Sequence, residues 1–445
     1  MSNRRGAVAV LATLLLVAVG CASPAEPDAV AVPTPIPTTT VTTTSTTTLP
    51  PPPAVTVGAE VLADSGFAPL DGARVGLIAN QTSLVRGVHL IDVLDQAPNV
   101  QLVSVFAPEH GVRGTAGAGA LIDDEVDSAT GTPIFSLYGA TRAPTPEMLQ
   151  GIDVLVYDLQ DVGGRFYTFI STMGLAMQAA AEAGVRFMVL DRPDPSGGVV
   201  VSGYVLEPEQ VSFIGQYPIP AAYAMTPGEL ALAIVGEGWL ERVAGLELEI
   251  VEMNGWLRGM TWDDTGLDWV PPSPGLQTPL SAVTYLGTVL LEATSISYGG
   301  GTVETFELVG APWADQITMA GRLNTLGLRG VIFEPVSFTP GPLPGRTSEP
   351  RLKGELMEGV RIRVTDPGLF EPVSVGIYIL DEFRRAALEN EVDDYINRPR
   401  AMGLLAGTAK LVEALEAGTS AAEIVAGWAE SLREFNEVRA GYLVY

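Results

Sequence analysis

The chain of 445 residues carries 25 Lys and Arg against 52 Asp and Glu, a formal charge of −27. That balance excludes nonspecific binding to a nucleic-acid backbone and obliges any anionic substrate to find a local arginine site. Its length suffices for two or three domains. The lone cysteine, Cys21, rules out a disulfide within the chain; with only His89 and His110 besides, a zinc or iron site is not expected and no cofactor is called for, leaving only a carboxylate calcium site open.

In chain order, residues 1–21 read as a lipoprotein signal peptide. Arg4 and Arg5 precede an apolar segment, residues 7–19, too short to span a bilayer comfortably. The run Ala18-Val19-Gly20-Cys21 resembles a lipoprotein cleavage box. On that reading Cys21 is lipidated and the protein is extracytoplasmic, anchored to the cell membrane by its acyl chains; cleavage at an ordinary site nearby would secrete it instead. Residues 22–54 are rich in Thr and Pro and cannot bury enough apolar area to offset ordering, so they read as a disordered stalk. Fully extended, it could reach on the order of 100 Å.

From residue 55 apolar runs alternate with helix-length segments. Strands are expected at residues 73–79, 100–106, 152–157, 187–190 and 246–253, and helices at 88–94, 169–183 (ended by Gly184) and from Pro227 to about 240. Thr226 with Pro227 and Glu229 forms a capping box. This alternation predicts an α/β fold, a Rossmann-like parallel sheet over residues 55–270. Pro271-Pro272-Ser273-Pro274 marks a boundary to a smaller α+β domain over 271–445. There a helix is expected at 285–292, a tight loop at Gly299-Gly300-Gly301, strands at 330–334, 360–364 and 373–379, and closing helices at 405–417 and 421–435.

Four successive strands end in polar clusters: Asn80-Gln81-Thr82, then Glu109-His110 with Arg113, then Asp158-Leu159-Gln160-Asp161, then Asp191-Arg192-Pro193-Asp194. Ligands of such sheets gather beyond the carboxyl ends of the strands. Pro108 cannot extend a central ladder, so the chain turns there and delivers an acid, an imidazole and a guanidinium together, which suits proton transfer beside an anion. A capped loop with a surface ion pair is the plainer account of the same residues. Gly114, Gly117 and Gly119 lack the spacing of a dinucleotide loop, and neither a phosphate-binding loop nor a Gly-x-Ser-x-Gly elbow is present. Carboxylate chemistry supported by histidine and arginine survives.

Several blocks resemble one family. They are Phe-Ala-Pro-Glu-His-Gly-Val-Arg-Gly at 106–114, Thr-Gly-Thr-Pro-Ile-Phe-Ser-Leu-Tyr-Gly at 130–139, and Asp-Leu-Gln-Asp-Val-Gly-Gly-Arg-Phe-Tyr-Thr at 158–168. Further blocks are Leu-Asp-Arg-Pro-Asp-Pro at 190–195, Ser-Phe-Ile-Gly-Gln-Tyr-Pro-Ile-Pro at 212–220 and the terminus at 435–445. In this order, over residues 57–445, they resemble the bacterial exo-acting β-N-acetylmuramidases. The resemblance implies a glycoside hydrolase of cell-wall turnover that releases N-acetylmuramic acid from the non-reducing end of peptidoglycan fragments. It also implies a cleft between a Rossmann-like domain and a smaller C-terminal one.

Carried onto this chain, the resemblance makes Glu109, His110, Asp161 and Glu292 the catalytic candidates, with Glu109 as acid/base and Glu292 or Asp161 as its partner. Asn80, Asp158, Gln160, Arg165, Asp191, Arg192 and Arg113 become candidates for substrate binding, the arginines for the lactyl carboxylate. Departures from the family pattern fall at Tyr223-Ala224, Asp194, Gly275, Ala293, Ser295, Tyr298 and Gly300. An acid and an arginine are replaced at the last two. A shifted specificity, or a tethered protein that binds glycan without cleaving it, would follow if those groups were needed.

Overall fold

The computed structural model describes residues 55–113 and 123–445. The leader with Cys21, the stalk, and Gly114, Gly117 and Gly119 lie outside them.

A period of two along each strand sorts the side chains of the central sheet into two cores. The strands are β1 (Arg74–Ala79), β2 (Gln101–Ala107), β3 (Glu125–Val126), β4 (Pro133–Ser136), β5 (Val154–Asp158), β6 (Arg186–Leu190) and β7 (Leu248–Val251). They lie in the order β7-β6-β5-β1-β2-β4-β3, and only β3 runs antiparallel to its neighbour. Val75, Leu77, Val105, Val154, Val156 and Met188 join one core with helices α1 (Gly58–Asp64) and α2 (Leu90–Asp95). Ile78, Phe106, Leu155, Tyr157, Phe187 and Val189 join the other, under α3 (Phe169–Ala183) and α4 (Pro227–Gly236). A sheet buried on both faces can present polar groups only at its ends. The α/β, Rossmann-like expectation therefore holds.

The helix boundaries follow local chemistry. Gly184 closes α3 in the left-handed region at φ 68°, and the Thr226–Glu229 capping box opens α4 as expected. The helix ends at Gly236, sooner than periodicity suggested.

The smaller C-terminal part follows from α5 (Pro279–Thr288), which continues as a 3-10 turn, Val289–Ala293. Strands β8 (Leu308–Ala311), β9 (Val331–Phe338) and β10 (Met357–Val364) form an antiparallel sheet in the order β8-β10-β9. Around it lie α6 (Gln316–Thr325), α7 (Pro372–Glu389), α8 (Pro399–Ala406), α9 (Lys410–Glu416), α10 (Ala421–Ala426) and α11 (Ala429–Arg439).

Residues 373–379 are helix, not strand. Val373, Val375, Ile377 and Ile379 mimic a strand because they alternate with Ser374, Gly376 and Tyr378 at a period of two. The helical spacing emerges only when Leu380, Phe383 and Ala387 are added; all three are buried, and Pro372 fits the first turn. The closing helices each break in two, the first at Gly407, whose φ is 81°, the second at Gly427-Trp428.

Two contacts set the geometry of this half. Helices α5 and α7 cross at a pair of glycines. A Cβ on Gly287 would collide with the Pro372 carbonyl oxygen, and one on Gly376 would crowd the Gly287 backbone. The Arg165 guanidinium, wholly buried, donates from Nη1 to the carbonyls of Tyr204 (2.7 Å) and Ile219 (3.1 Å), and from Nη2 to that of Leu405 (2.8 Å) at the end of α8. Gly407 leaves room for it, since a Cβ there would lie 2.5 Å from Arg165 Nη2.

Gly287→Ala should therefore lower unfolding stability by on the order of 3 kcal/mol, because a backbone atom cannot yield to the added methyl. Gly321→Ala, on the exposed face of α6 with nothing near its Cβ position, should be neutral or stabilise by up to about 1 kcal/mol. Denaturant unfolding of both variants checks the pair; equal effects would contradict the close crossing.

Candidate active site

The strand β2 ends at Ala107, and the chain turns through Pro108 to Gly111, whose N–H donates to the Pro108 carbonyl at 3.1 Å. His110 takes φ 74°, a conformation costing a non-glycine residue about 1–2 kcal/mol, and Gly111 follows at φ 75°. This turn aims Glu109 and His110 into a cleft of about 670 Å³. The lining also draws on the C-terminal half, where Glu292 stands on the 3-10 turn after α5.

Glu109 is fixed by the start of α3. Thr168 occupies the N-cap position, yet its hydroxyl makes no bond to its own helix and instead donates to Glu109 Oε2 at 2.9 Å. Burial, and then the Glu109 charge, pushes the Tyr138 phenol up. Burial raises the Glu292 carboxyl to about 7; the Arg351 and Arg398 guanidiniums oppose the rise and the Glu109 carboxylate adds to it. The Tyr285 phenol, driven well up by burial, also feels Glu292 and then Glu109, so all three share one electrostatic environment.

The remaining expected residues do not line the cleft; all but Arg113, which is exposed, form a buried polar girdle. Asp158 and Arg192 make a two-pronged ion pair at 2.6 and 2.9 Å. Asn80 Oδ1 accepts from the Thr82 N–H and hydroxyl, and Gln160 Nε2 donates to the carbonyls of Asp161 and Pro193. Asp191 supports the start of α4, accepting from the Thr226 hydroxyl (2.7 Å), the Gly228 N–H (2.8 Å) and the Tyr445 hydroxyl (2.8 Å). Arg113 is engaged by Asp127 at 2.9 Å and Asp92 at 3.4 Å. Arg165 is spent on carbonyls, and burial lowers it to about 9. These arginines are thus committed to protein groups. The ones on the cleft wall are Arg346 and Arg351.

Asp161, a catalytic candidate by sequence, lies in that girdle too. Its Oδ2 accepts from the Gly163 N–H (2.7 Å) and the Tyr223 hydroxyl (2.5 Å), and burial raises it to about 7, with Asp194 adding to the rise. Two departures from the family pattern, Tyr223 and Asp194, therefore fall in one buried cluster. Three others, Gly275, Tyr298 and Gly300, line the cleft. The Tyr298 ring stacks on Phe306 at 5.0 Å and 11°, and Gly300 leaves space for it, a Cβ there lying 3.0 Å from the Tyr298 ring. An aromatic wall stands where charges were expected.

Sequence reasoning missed Tyr138, Thr168, Tyr285, Arg346 and Arg351 as cleft residues. Thr168 reads as a helix cap, and Tyr285 as a core aromatic. The arginines follow the Pro/Gly-rich run 340–345, a loop signal that says nothing of where it points. Among the described residues no group of three or more His, Cys, Asp or Glu is placed to hold a metal ion.

Comparison with known proteins agrees along the chain. The sequence profile described as "Exo-beta-N-acetylmuramidase NamZ, N-terminal" matches residues 75–280, and its C-terminal counterpart matches 283–445. The chain is 41% identical over 392 residues to the peptidoglycan beta-N-acetylmuramidase NamZ of Bacillus subtilis (strain 168), covering 88% of this chain and 91% of that protein. Crystal structures of two DUF1343 family proteins of Bacteroides fragilis are similar. One has a TM-score of 0.81 at 38% identity, the other 0.71 at 31%, each over 88% of this chain and 99% of that one.

The buried acid gives a pH signature. Asp161 sits at about 7 in the fold against its ordinary 3.8, so the folded protein keeps a proton that the unfolded chain has released. The stability this provides is complete below pH 3.8 and lost as pH rises through about 7. The midpoint of thermal unfolding should thus fall between pH 4 and 7 more steeply in the wild type than in Asp161→Asn; parallel curves would contradict it.

Proposed function

The chain belongs to the exo-β-N-acetylmuramidase family, and from that premise we propose that its cleft hydrolyses the terminal glycosidic bond of peptidoglycan fragments and releases N-acetylmuramic acid. It is a glycoside hydrolase acting on peptidoglycan fragments. The observation that carries the site assignment is that two carboxyl groups from different halves of the molecule, Glu109 and Glu292, line one cleft and influence each other. Glycosidic cleavage needs one carboxyl to protonate the departing oxygen and one to assist attack at the anomeric carbon.

The environment divides these roles. Glu292, held near 7 by burial, keeps a proton to donate at neutral pH and is the acid. Glu109, gripped by Thr168 at 2.9 Å, is the group that assists attack. This exchanges the roles expected from sequence, where Glu109 was the acid, and it sets Asp161 aside, since that carboxyl lies behind the cleft wall. His110 lines the cleft beside Glu109 and orients the sugar there. The aromatic wall of Tyr298 and Phe306 offers an apolar face to a pyranose ring. The replaced charges at 298 and 300 leave both carboxyls in place, which favours an active enzyme over a binding protein without catalysis.

Localisation belongs to the same proposal. Cys21, after its basic and apolar leader, is lipidated and anchors the protein outside the cytoplasm, with the stalk as spacer. Cys21→Ala should move the protein from the membrane fraction into the medium; unchanged membrane retention would contradict the anchor.

Incubation with the disaccharide of N-acetylmuramic acid β-linked to N-acetylglucosamine should release both sugars. Glu109→Gln and Glu292→Gln should each lower kcat by about 100-fold or more. Because Glu292 must be protonated, kcat/KM should decline as pH rises through about 7, and Glu292→Gln should lack that alkaline limb. Full rates in either variant would overturn the assignment.

A further inference from the structure

A cleft that admits muramic acid must accommodate a carboxylate, because the sugar differs from N-acetylglucosamine by a lactyl ether at O3. The cleft wall already carries Glu109, Glu292 and Glu349, and the chain as a whole is strongly acidic. An anionic sugar therefore needs a cation whose charge is not already spent.

The candidate arginines differ in that respect. Arg113, Arg165 and Arg192 do not line the cleft, and their charges are spent on protein groups. Arg351 lines the cleft, but its two terminal nitrogens donate to the backbone carbonyls of Glu292 and Thr294, so its charge braces the turn that holds Glu292. Glu349 is paired with Lys353 at 2.9 Å. Arg346 is left. It lines the cleft, it has no carboxylate partner among the described residues, and its Nη1 is buried without a hydrogen-bond partner. A desolvated guanidinium nitrogen with nothing to donate to is a cost unless a ligand satisfies it.

The local backbone explains why the side chain is held there. Leu343 and Thr347 close a miniature hairpin, with the Leu343 N–H donating to the Thr347 carbonyl at 2.8 Å and the Thr347 N–H returning to the Leu343 carbonyl at 3.0 Å. The Arg346 N–H donates to the same Leu343 carbonyl at 3.1 Å, and Gly345 supplies the turn at φ 74°. Arg346 thus stands on a braced tip between β9 and β10, in the half of the molecule that also carries Glu292.

We infer that Arg346 is the specificity-determining residue that binds the lactyl carboxylate of the muramic acid sugar, using the unpartnered guanidinium edge as a fork for its two oxygens. The inference rests on the preceding reading that this sugar occupies the cleft. It goes further in naming the residue that distinguishes muramic acid from its lactyl-free counterpart.

The test compares the 4-nitrophenyl β-glycosides of N-acetylmuramic acid and of N-acetylglucosamine on the full chain. In Arg346→Gln, kcat/KM for the muramic glycoside should fall about 10- to 100-fold, the range of a lost charge-assisted hydrogen-bond pair, and hydrolysis of the glucosamine glycoside should change less than about twofold. Arg346→Lys should lie between. The methyl ester of the lactyl group should behave alike in wild type and Arg346→Gln. Equal losses on both glycosides, or no loss on either, would overturn the inference. A wild type that cleaves neither glycoside would defeat the hydrolase reading alone. Calorimetric binding of N-acetylmuramic acid would then decide the matter: at least tenfold weaker binding in Arg346→Gln supports the inference, and unchanged affinity refutes it. A thermal midpoint equal to wild type shows that the variant is folded.

Discussion

One buried cation ties the two halves of this molecule together. Arg165 lies after β5 in sequence, yet it donates to the carbonyls of Tyr204 and Ile219 and, across 240 residues of chain, to Leu405 at the end of α8. The last carbonyls of a helix lack partners within it, and a guanidinium has enough donors to satisfy several acceptors in one plane. Lysine has neither the span nor the planarity. Phe166, Tyr167 and Thr168 follow immediately, and all three line the cleft together with Leu405. Fixing Arg165 therefore fixes one wall of the cleft, including the threonine that holds Glu109.

The polar groups divide by what they face. Behind the wall they face one another: Asp158 with Arg192, Asp161 with Tyr223, Asp191 with the start of α4 and the terminal tyrosine. Buried and hydrogen-bonded, they hold the strand ends in place, and breaking any of them would leave a desolvated partner behind. In the cleft, Glu109 accepts a hydrogen bond from Thr168, and both it and Glu292 line the space open to a substrate. The same desolvation that makes the girdle rigid raises Glu292 enough to keep a proton near neutral pH.

Much of this was legible in the sequence. The β2 strand, its Pro108 turn and Glu109 at its end follow from the apolar run and the proline. The α4 cap follows from Thr226, Pro227 and Glu229. Polar residues at strand ends pointed to the rim on which the cleft with Glu109 and His110 opens, but not to which of them turn outward. Asp161 and Glu109 look equivalent as acids after strands; only packing shows that Asp161 faces Tyr223 and Glu109 faces the cleft. The α7 helix was hidden by β-branched residues at 373, 375, 377 and 379, whose spacing of two is that of a strand. Arg346 and Arg351 were hidden because a loop rich in Pro and Gly carries no period from which direction could be read.

The account rests on a sugar lying between Glu109 and Glu292. A crystal structure of the Glu109→Gln protein with the uncleaved muramic acid–glucosamine disaccharide tests this most directly. The account places the bridging oxygen within hydrogen-bond reach of Glu292, with residue 109 against the anomeric carbon from the other side. A disaccharide bound elsewhere, or seated in the cleft with its bridging oxygen beyond the reach of Glu292, would contradict it.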